Sequence, residues 1–519
     1  MTAASTADPA TRPDDAAAAA DVRALLDRAV EVYGDDPVAH RLRDQRRRLD
    51  DPLRVALVGR VKAGKSTLLN ALVGARIAPT DAGECTKVVT LYRNGATPRV
   101  LLHDTAGAVR TLPVRRSADG LHLDLAGTPA EQVAFLAVDW PATGLMPATL
   151  IDTPGLASLT AAASARTESF FDSGEHVPGA DAVVFLTRQM QAEDLAFLAA
   201  FQAATSAGDV HTTTITVLSR ADEIASGRLD ALRAADAVAQ RMAGDPAVRA
   251  VSDTVVPVAG LLALGARTLR QGDFVALRTI ARAQPDDLRT LLLSADRFCR
   301  PQVPVPVSRE VRVALVERLG LFGIRLSIAL IRSGLTDAQS LADELQRRSG
   351  LAELQRLIAV HFTRRGGVLK VETALRTLET VLRERPTAGD ADLWRELERI
   401  RLASHDLDEL ALLARSRAPD GPLPGALRAE GERLLGAEGP ETTVRLGLPA
   451  GAPDEAVRAA AADAIDRWRA AGADPLAPRA TLDAIDVVVR ACEQILGGLD
   501  GQASAVLAAQ PGAGGAGEE

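Results

Sequence analysis

The stretch Gly59-Arg60-Val61-Lys62-Ala63-Gly64-Lys65-Ser66-Thr67 fits G-x-x-x-x-G-K-[ST], the pattern of the phosphate-binding loop in nucleoside triphosphatases. Before it, residues 53–58 (LRVALV) form a mostly apolar run, and after it residues 67–73 have helical spacing and end at Gly74. This order predicts a buried strand, a glycine loop and a helix whose N-terminal N–H groups bind phosphate. A chance glycine loop on a Rossmann-like strand is the alternative, and the flanking pattern argues against it.

The residues of this loop are predicted to contact both the nucleotide and a metal ion. Lys65 is expected to bridge the β- and γ-phosphates, and Ser66 is expected to hold Mg²⁺. The predicted nucleotide contacts in the loop are Gly59, Lys62, Ala63, Gly64, Lys65, Ser66 and Thr67.

A second apolar segment, residues 148–155, ends in D-T-P-G. Asp152 lies at the end of this predicted strand and is expected to reach the Mg²⁺ through a water molecule. Gly155 is expected to offer its N–H to the γ-phosphate, where a side chain would obstruct the approach. Both residues are therefore predicted to sense the γ-phosphate.

The base is predicted to lie against two further strand ends. Residues 214–218 form a strand that leads into Ser219-Arg220-Ala221-Asp222, which is similar to the guanine-reading motif [NT]-K-x-D. Asp222 would accept two hydrogen bonds that adenine cannot supply, and Arg220 would lay its stem over the base. Ser219 and Arg220 depart from the usual Asn or Thr and Lys. The next buried strand ends at Val258 and Ala259, whose backbone is expected to contact the base. The pattern favours GTP and GDP over ATP.

A threonine between the loop and D-T-P-G is expected to close over the Mg²⁺ and the γ-phosphate. Residues 78–90 run from a flexible segment into a β-branched strand and contain three candidates, Thr80, Thr86 and Thr90. An ordinary threonine between loop and strand is the alternative interpretation of each.

These motifs together resemble the bacterial dynamin-like GTPases, and among them the isoniazid-inducible (IniC/IniA-type) proteins of actinobacteria. The resemblance rests on VKAGKSTLLNALVG, PTDAGECTKVVT and LIDTPG, and it extends through SRADEI and VPVAGLLALGARTLRQ to ERLGLFGIRLSIA. It implies a large GTPase domain, a helical bundle built from both chain ends, and GTP-dependent membrane remodelling. It also favours Thr86 as the closing threonine and as a further Mg²⁺ ligand, and it implies a partner that is either a second copy or a related GTPase.

One departure from the dynamin pattern concerns catalysis. Dynamins have a glutamine in the loop that positions the attacking water, and Val61 stands at that position here. Lys62 follows it, where the guanylate-binding branch places an internal arginine finger. Lys62 is therefore a candidate catalytic cation beside Lys65 and Thr86, with a phosphate contact or a solvent-facing side chain as the alternative. We expect slow intrinsic turnover.

Composition excludes several other classes of protein. The chain has 519 residues, 47% hydrophobic and only 3% aromatic, with a net charge of −8. The acidic balance and the lack of a basic patch with interleaved aromatics disfavour nucleic acid as a partner. Cys85, Cys299 and Cys492 fit neither a disulfide framework nor a metal site, which favours a reducing cytoplasm.

Contact with a membrane is expected to be peripheral. No run approaches the roughly 18–20 apolar residues of a membrane span, and the N-terminal residues lack the pattern of a signal peptide. The predicted location is the cytoplasm, at the inner face of the plasma membrane.

The predicted fold is an α/β phosphate-loop GTPase domain, with a mostly parallel sheet and helices on both faces, plus an all-α bundle. The predicted divisions are residues 1–17 (disordered tail), 18–52 (helices that join the bundle), 53–365 (GTPase domain), 366–507 (bundle) and 508–519 (disordered tail). Gly366-Gly367 is the predicted boundary, and both this pair and the loop near Asp50-Asp51-Pro52 are candidate hinges. Ser308 and Thr336 are predicted N-caps of helices in the GTPase domain.

A proline- and glycine-rich segment, residues 414–428, is a candidate membrane tip. We expect it to expose Leu423 and Leu427 for shallow insertion, while Arg415 and Arg417 meet anionic headgroups. Residues 446–449 are a second candidate, and an ordinary turn between helices is the alternative for both.

Two functions of different class remain open. One is a dynamin-like GTPase that couples hydrolysis to oligomerisation and to remodelling or tethering of anionic membranes. The other is a slow regulatory GTPase that acts through protein partners without a membrane role, which Val61 favours. A ribosome-associated GTPase is disfavoured because no RNA-binding module is evident.

Overall fold

The computed structural model describes residues 13–79, 88–117, 120–122, 124–125, 127–145, 148–153, 180–205, 213–359, 366–417, 421–474 and 476–509. The strands are β1 (Leu53–Gly59), β2 (Thr90–Asn94), β3 (Arg99–Asp104), β4 (Val109–Leu112), β5 (Arg115–Ser117), β6 (Gly120–His122), β7 (Val133–Trp140), β8 (Ala148–Asp152), β9 (Ala182–Thr187), β10 (Thr213–Ser219) and β11 (Thr254–Val258).

The helices are α1 (Pro13–Tyr33), α2 (Val38–Arg48), α3 (Lys65–Val73), α4 (Ala192–Thr205), α5 (Ala231–Gly244), α6 (Pro246–Arg249), α7 (Gly260–Arg267), α8 (Gln271–Ala281), α9 (Pro285–Leu291), α10 (Ala295–Phe298), α11 (Arg309–Arg332), α12 (Ala338–Arg348), α13 (Leu351–Leu357), α14 (Gly366–Glu384), α15 (Asp390–Ala403), α16 (His405–Ser416), α17 (Arg428–Leu434), α18 (Thr442–Arg445), α19 (Asp454–Gly472) and α20 (Arg479–Ala509). Within the described part of the chain, every helix is too short or too polar to cross a bilayer.

A mixed nine-stranded sheet has the order β11-β10-β9-β1-β8-β2-β7-β3-β4, and β5 pairs with β6 in a separate hairpin. The five strands from β11 to β8 are parallel to one another. β2 runs antiparallel to β8 and parallel to β7. Strand β9 is buried at every position, as expected for a central parallel strand covered on both faces, whereas β4 at the edge is mostly exposed. The predicted mostly parallel sheet is confirmed.

Helices cover the sheet near its centre. Leu198 and Phe201 of α4 lie in one core with Ala56, Val58 and residues of β2, β8 and β9. Helix α3 packs against β1 and β8. A second core unites α7, α8, α11 and α12, with Phe274, Leu315 and Leu341 buried in it. The predicted α/β domain with flanking helices is therefore confirmed.

By internal packing the described chain divides into two compact units. Residues 13–25 and 385–509 form the helical unit, and residues 26–205 and 213–384 form the sheet unit. An all-helical part built from both chain ends was predicted and is present. Within the sheet unit α2 packs against α14, and Lys370 Nζ donates to the carbonyl oxygen of Leu49 at 3.2 Å. Residues 26–52 and 366–384 thus pack with the sheet, although the sequence assigned them to the bundle, and the functional boundaries at 53 and 366 stay predictions.

The helical unit has its own aliphatic core around Trp468, which is fully buried. Leu423 belongs to this core with 2% of its surface exposed, and Leu427 packs against it. The expectation that both leucines are exposed is wrong, because Gly431 lacks a side chain and lets Leu423 and Trp468 close over it. The second candidate segment is also folded inward, since Leu446 is 8% exposed.

Candidate nucleotide-binding site

Five strand ends bring the predicted motifs to one edge of the sheet. Because β11, β10, β9, β1 and β8 are parallel, their carboxyl ends lie on the same side, which is where open α/β sheets bind ligands. In the register, Gly59 is opposite Leu186, and Ser219 is opposite Val258. The phosphate loop therefore leaves the middle of this edge, with β8 on one side and β9, β10 and β11 on the other.

The loop backbone has a shape that depends on its glycines. Gly59 has a φ of +156°, and a Cβ there would lie 2.4 Å from the carbonyl oxygen of Leu186. Gly64 has a φ of +98° at the N-cap of α3. Lys62 also adopts the left-handed region, with a φ of +64°, although it is not glycine. Holding a non-glycine residue in this conformation costs about 1–3 kcal/mol of conformational free energy, and such strained residues are common in functional loops.

Lys65, Ser66 and Asp152 meet at the start of α3. The Nζ of Lys65 donates to the carbonyl oxygens of Gly59 at 2.9 Å and Arg60 at 3.3 Å. The hydroxyl of Ser66 donates to Oδ2 of Asp152 at 3.2 Å. Thr153 fixes the end of β8, because its hydroxyl donates to the carbonyl oxygen of Leu57 at 2.9 Å.

Burial perturbs both charged groups at this point. It raises the pKa of Asp152 to about 6, against the opposing charge of Lys65 and the hydrogen bond from Ser66. Burial likewise lowers the pKa of Lys65, which Asp152 partly opposes. Desolvated groups of opposite charge at a strand end are typical of a site that binds charged ligands.

The donor set near Ser66 fits Mg²⁺. The Ser66 hydroxyl and the carboxylate of Asp152 are hard oxygen ligands, and Mg²⁺ keeps several waters while binding one or two such groups and substrate phosphates. Among the described residues no group of three His, Cys, Asp or Glu side chains could hold a metal by itself. The chain thus offers a partial shell that phosphate oxygens and water would complete.

Residues 219–222, which are predicted to read guanine, contact the phosphate loop directly. Arg220 has a φ of +52°, and its Nη2 donates to the carbonyl oxygen of Lys62 at 3.0 Å, while its Nη1 pairs with Glu223 at 2.7 Å. Asp222 is half-buried, and burial raises the pKa of its carboxyl, with Glu223 adding to the effect. Ser219 is buried and donates to the carbonyl oxygen of Thr187 at 3.1 Å.

The turn before α13, residues 349–350, contacts the end of β11 and fixes its position. The N–H of Ala259 donates to the carbonyl oxygen of Ser349 at 2.9 Å. Gly350 follows with a φ of +77°, and a Cβ there would lie 2.1 Å from the carbonyl oxygen of Pro257. The backbone of Val258 and Ala259 is therefore fixed next to Ser219.

The structure brings together the predicted residues of the loop, Asp152, the 219–222 motif and the end of β11. Thr80, Thr86 and Gly155 lie outside the described residues, and their predicted roles stay predictions. Thr90 is described, and its hydroxyl is buried and 3.5 Å from the carbonyl oxygen of Val88. Lys62 is exposed.

Two buried polar contacts were not predicted from the sequence, one that supports the phosphate loop and one that holds the segment after α3. Arg60 Nε donates to Asp194 at 2.8 Å, and that carboxylate lies at the start of α4 with only 2% of its side chain exposed. Asn70 is fully buried in α3, where its amide accepts from the N–H groups of Ile77 and Ala78 at 2.8 Å. A lone Asn within the apolar run LLNALV is the signal that could have pointed to the second contact.

Comparisons with known proteins agree with this geometry. A model of the Dynamin family matches residues 55–114. The isoniazid-induced protein IniC of Mycobacterium tuberculosis (strain ATCC 25618 / H37Rv) is 40% identical over 482 residues, which covers 92% of this chain and 97% of that protein. The GTPase HflX of Gluconacetobacter diazotrophicus is 39% identical over 98 residues, 18% of this chain and 22% of the relative. The bacterial dynamin-like protein of Nostoc punctiforme is 31% identical over 117 residues, 20% of this chain and 16% of the relative.

Proposed function

Since the chain belongs to the family of the isoniazid-induced protein IniC, among the bacterial dynamin-like GTPases, we propose that it hydrolyses GTP with Mg²⁺ and couples hydrolysis to assembly and to peripheral membrane remodelling or tethering. Assembly would join copies of this chain or pair it with a related dynamin-like GTPase. The place of action would be the cytoplasmic face of the plasma membrane. The observation that carries the nucleotide part is the single sheet edge that joins Lys65, Ser66, Asp152 and Asp222.

The residues divide the work along this edge. The N-terminus of α3 and Lys65 would bind the β- and γ-phosphates, while Ser66 and Asp152 would hold Mg²⁺, which neutralises charge on the phosphate oxygens. Asp222 would select guanine by accepting two hydrogen bonds. Thr86 and Gly155 would close on the γ-phosphate. The exposed Lys62 would supply positive charge to the transition state, in cis or across a dimer.

Turnover with matched nucleotides tests the site. We expect the protein to hydrolyse GTP with Mg²⁺ and to lose this activity in Lys65→Ala, because the phosphates lose their main cation. Asp222→Ala should weaken GTP binding while the thermal unfolding of the free protein stays close to that of the wild type. Hydrolysis of ATP at the same rate as GTP would contradict the role of Asp222. GTP hydrolysis that persists after Mg²⁺ is chelated would contradict the proposed requirement for the metal.

Because Leu423 is buried, membrane contact needs an exposed apolar surface outside residues 414–428. The turn between α19 and α20 offers a candidate surface, because Leu476 there is 89% exposed and Arg479 begins α20 three residues later. One leucine buries little area, so binding would rely on the avidity of an assembly. We expect GTP turnover to rise on anionic liposomes and with protein concentration, and Leu476→Asp to abolish the liposome effect without changing basal turnover. Leu229→Asp, at another exposed leucine, is the matched control.

The burial of Leu423 and the presence of Val61 favour a second candidate, a slow regulatory GTPase that acts through protein partners. Its signature would be turnover that responds neither to liposomes nor to protein concentration. Co-sedimentation of the full chain with anionic liposomes separates the two proposals.

A further inference from the structure

Arg267, the last residue of α7, contacts the far end of the helix that starts at Lys65. Its Nη1 donates to the carbonyl oxygens of Ala71 at 2.8 Å and Leu72 at 3.2 Å. These carbonyls belong to the last turn of α3, where helix carbonyls have no partner within the helix. The guanidinium therefore caps the phosphate-loop helix at its negative end.

The guanidinium of Arg267 has its hydrogen-bond partners in α3 and not in the neighbouring carboxylate. Among the described residues Arg267 makes no ion pair, although Asp343 lies with it in the wall of a cavity of about 270 Å³. The carboxylate of Asp343 accepts instead from the side-chain amide of Gln339 at 2.8 Å. Gly74 ends α3 with a φ of +83°, and a Cβ there would lie 3.0 Å from the guanidinium. A residue with a side chain at 74 would therefore crowd the guanidinium of Arg267.

Helix α7 lies alongside α3 from one end to the other. It begins at Gly260, directly after Val258 and Ala259, and a Cβ at Gly260 would lie 3.8 Å from the backbone N of Leu68. At its other end Arg267 holds the last turn of α3. Helix α7 thus joins the strand end assigned to the base with the helix assigned to the phosphates.

We propose that Arg267 is a positioning residue, which fixes α3 against α7 and so sets the distance between the base-binding strand ends and the phosphate loop. The inference rests on the nucleotide site proposed above. GTP spans both halves of that site and needs them at one separation. Guanosine and inorganic tripolyphosphate each need only one half of the site, so their binding does not depend on the contact of Arg267 with α3.

The test compares three ligands on three variants of the full chain by titration calorimetry. Arg267→Met should weaken GTP binding by about 2- to 30-fold, because the interaction of a charge with a helix C-terminus limits what its loss can cost, while guanosine and tripolyphosphate bind as before. Arg267→Lys should lie between Met and wild type, because its ammonium keeps the charge but lacks the planar fork. In steady-state GTP hydrolysis by Arg267→Met, the weaker binding should appear as a higher KM with kcat unchanged.

Arg332→Met is the matched control. Arg332 Nε and Nη2 donate to the carbonyl oxygens of Ala281 at 2.9 Å and Ala283 at 2.8 Å, so it caps the end of α8 with the same chemistry away from α3. We expect all three ligands to bind this variant as they bind the wild type.

Equal GTP affinity in the Arg267→Met and Arg332→Met variants would overturn the proposal, as would equal weakening of all three ligands by Arg267→Met. If Arg267→Met fails to unfold cooperatively, the Arg267→Lys variant decides the question through the same comparison. A wild type that binds no GTP would refute the nucleotide site itself, which is a different outcome from a wild type that binds GTP independently of Arg267.

Discussion

A glycine is required at position 350, where the turn between α12 and α13 crosses β11. The φ of +77° is one that side chains rarely adopt, and the carbonyl oxygen of Pro257 leaves no space for a Cβ. This close approach is what places the N–H of Ala259 on the carbonyl oxygen of Ser349. The position of the backbone that is predicted to contact the base thus depends on Gly350.

Gly350→Ala should destabilise the protein by at least about 1–3 kcal/mol, since the new methyl group must displace the β11 backbone and the strained φ remains. The change is measured as the free energy of unfolding in urea. The control is Gly272→Ala, at an open position in α8, where alanine should stabilise by about 0.5–1 kcal/mol. Equal effects of the two substitutions would contradict the close contact at Gly350.

Individual residues differ in how far the sequence predicts them. Lys65, Ser66 and Asp152 were predicted because each is tied to a local motif whose strand and helix context is visible in the chain. The support of Arg60 by Asp194 was not, because it joins segments 134 residues apart through the tertiary fold. The exposure of Leu423 was mispredicted for the same reason, since only packing reveals Trp468 beside it.

Among the elements, α12 shows how a cap decides where a helix begins. The sequence favoured Thr336 as the N-cap, but the carboxylate of Asp337 accepts from the N–H of Ser340 at 2.8 Å. Thr and Asp are both good caps, so two adjacent candidates cannot be separated without the backbone conformation. The other predicted cap, Ser308, is confirmed, and the helix that it begins, α11, runs to Arg332 with a non-helical Gly320 inside it.

The cap of α12 predicts a pH-dependent contribution to stability. Hydrogen bonds from the backbone and hydroxyl of Ser340 hold the pKa of Asp337 below its ordinary value of 3.8. The stabilisation is therefore complete above that value and is lost as the pH falls through the lowered pKa. We expect Asp337→Ala to lower the urea midpoint at neutral pH, and the gap to the wild type to shrink in acid without closing, because the protonated carboxyl keeps one accepting oxygen. Asp337→Asn keeps a capping oxygen that does not titrate, so its gap to the wild type should widen toward neutral pH and vanish in acid.

For the whole molecule, the question is where the sheet unit ends. The sequence predicted a boundary at Gly366, whereas α14 packs within the sheet unit as far as Glu384. Helices α2 and α14 are antiparallel, because Arg41 near the start of α2 contacts Glu384 at the end of α14 at 2.7 Å. Lys370, near the start of α14, contacts Leu49 just after α2. A glycine pair is a sound local sign of a boundary, but it does not reveal which partner buries the following apolar face.

A chain of residues 26–384 should unfold cooperatively and retain GTP turnover, whereas a chain of residues 26–365 should not fold, because α2 would lose the helix that covers its apolar side. Thermal unfolding followed by circular dichroism, with turnover as the second readout, compares the two. Equal stability of both chains would place the boundary at Gly366, as the sequence suggested.

The pairing of α2 with α14 also has a consequence for biosynthesis. Arg41 and Glu384 are 343 residues apart, so α2 leaves the ribosome long before its partner is made. Domains generally fold from the N-terminus as they emerge, but here an early amphipathic helix must wait for most of the chain. During translation we expect its apolar side to be open to chaperones, and substitutions that make this side more polar should speed release from them while they destabilise the finished protein.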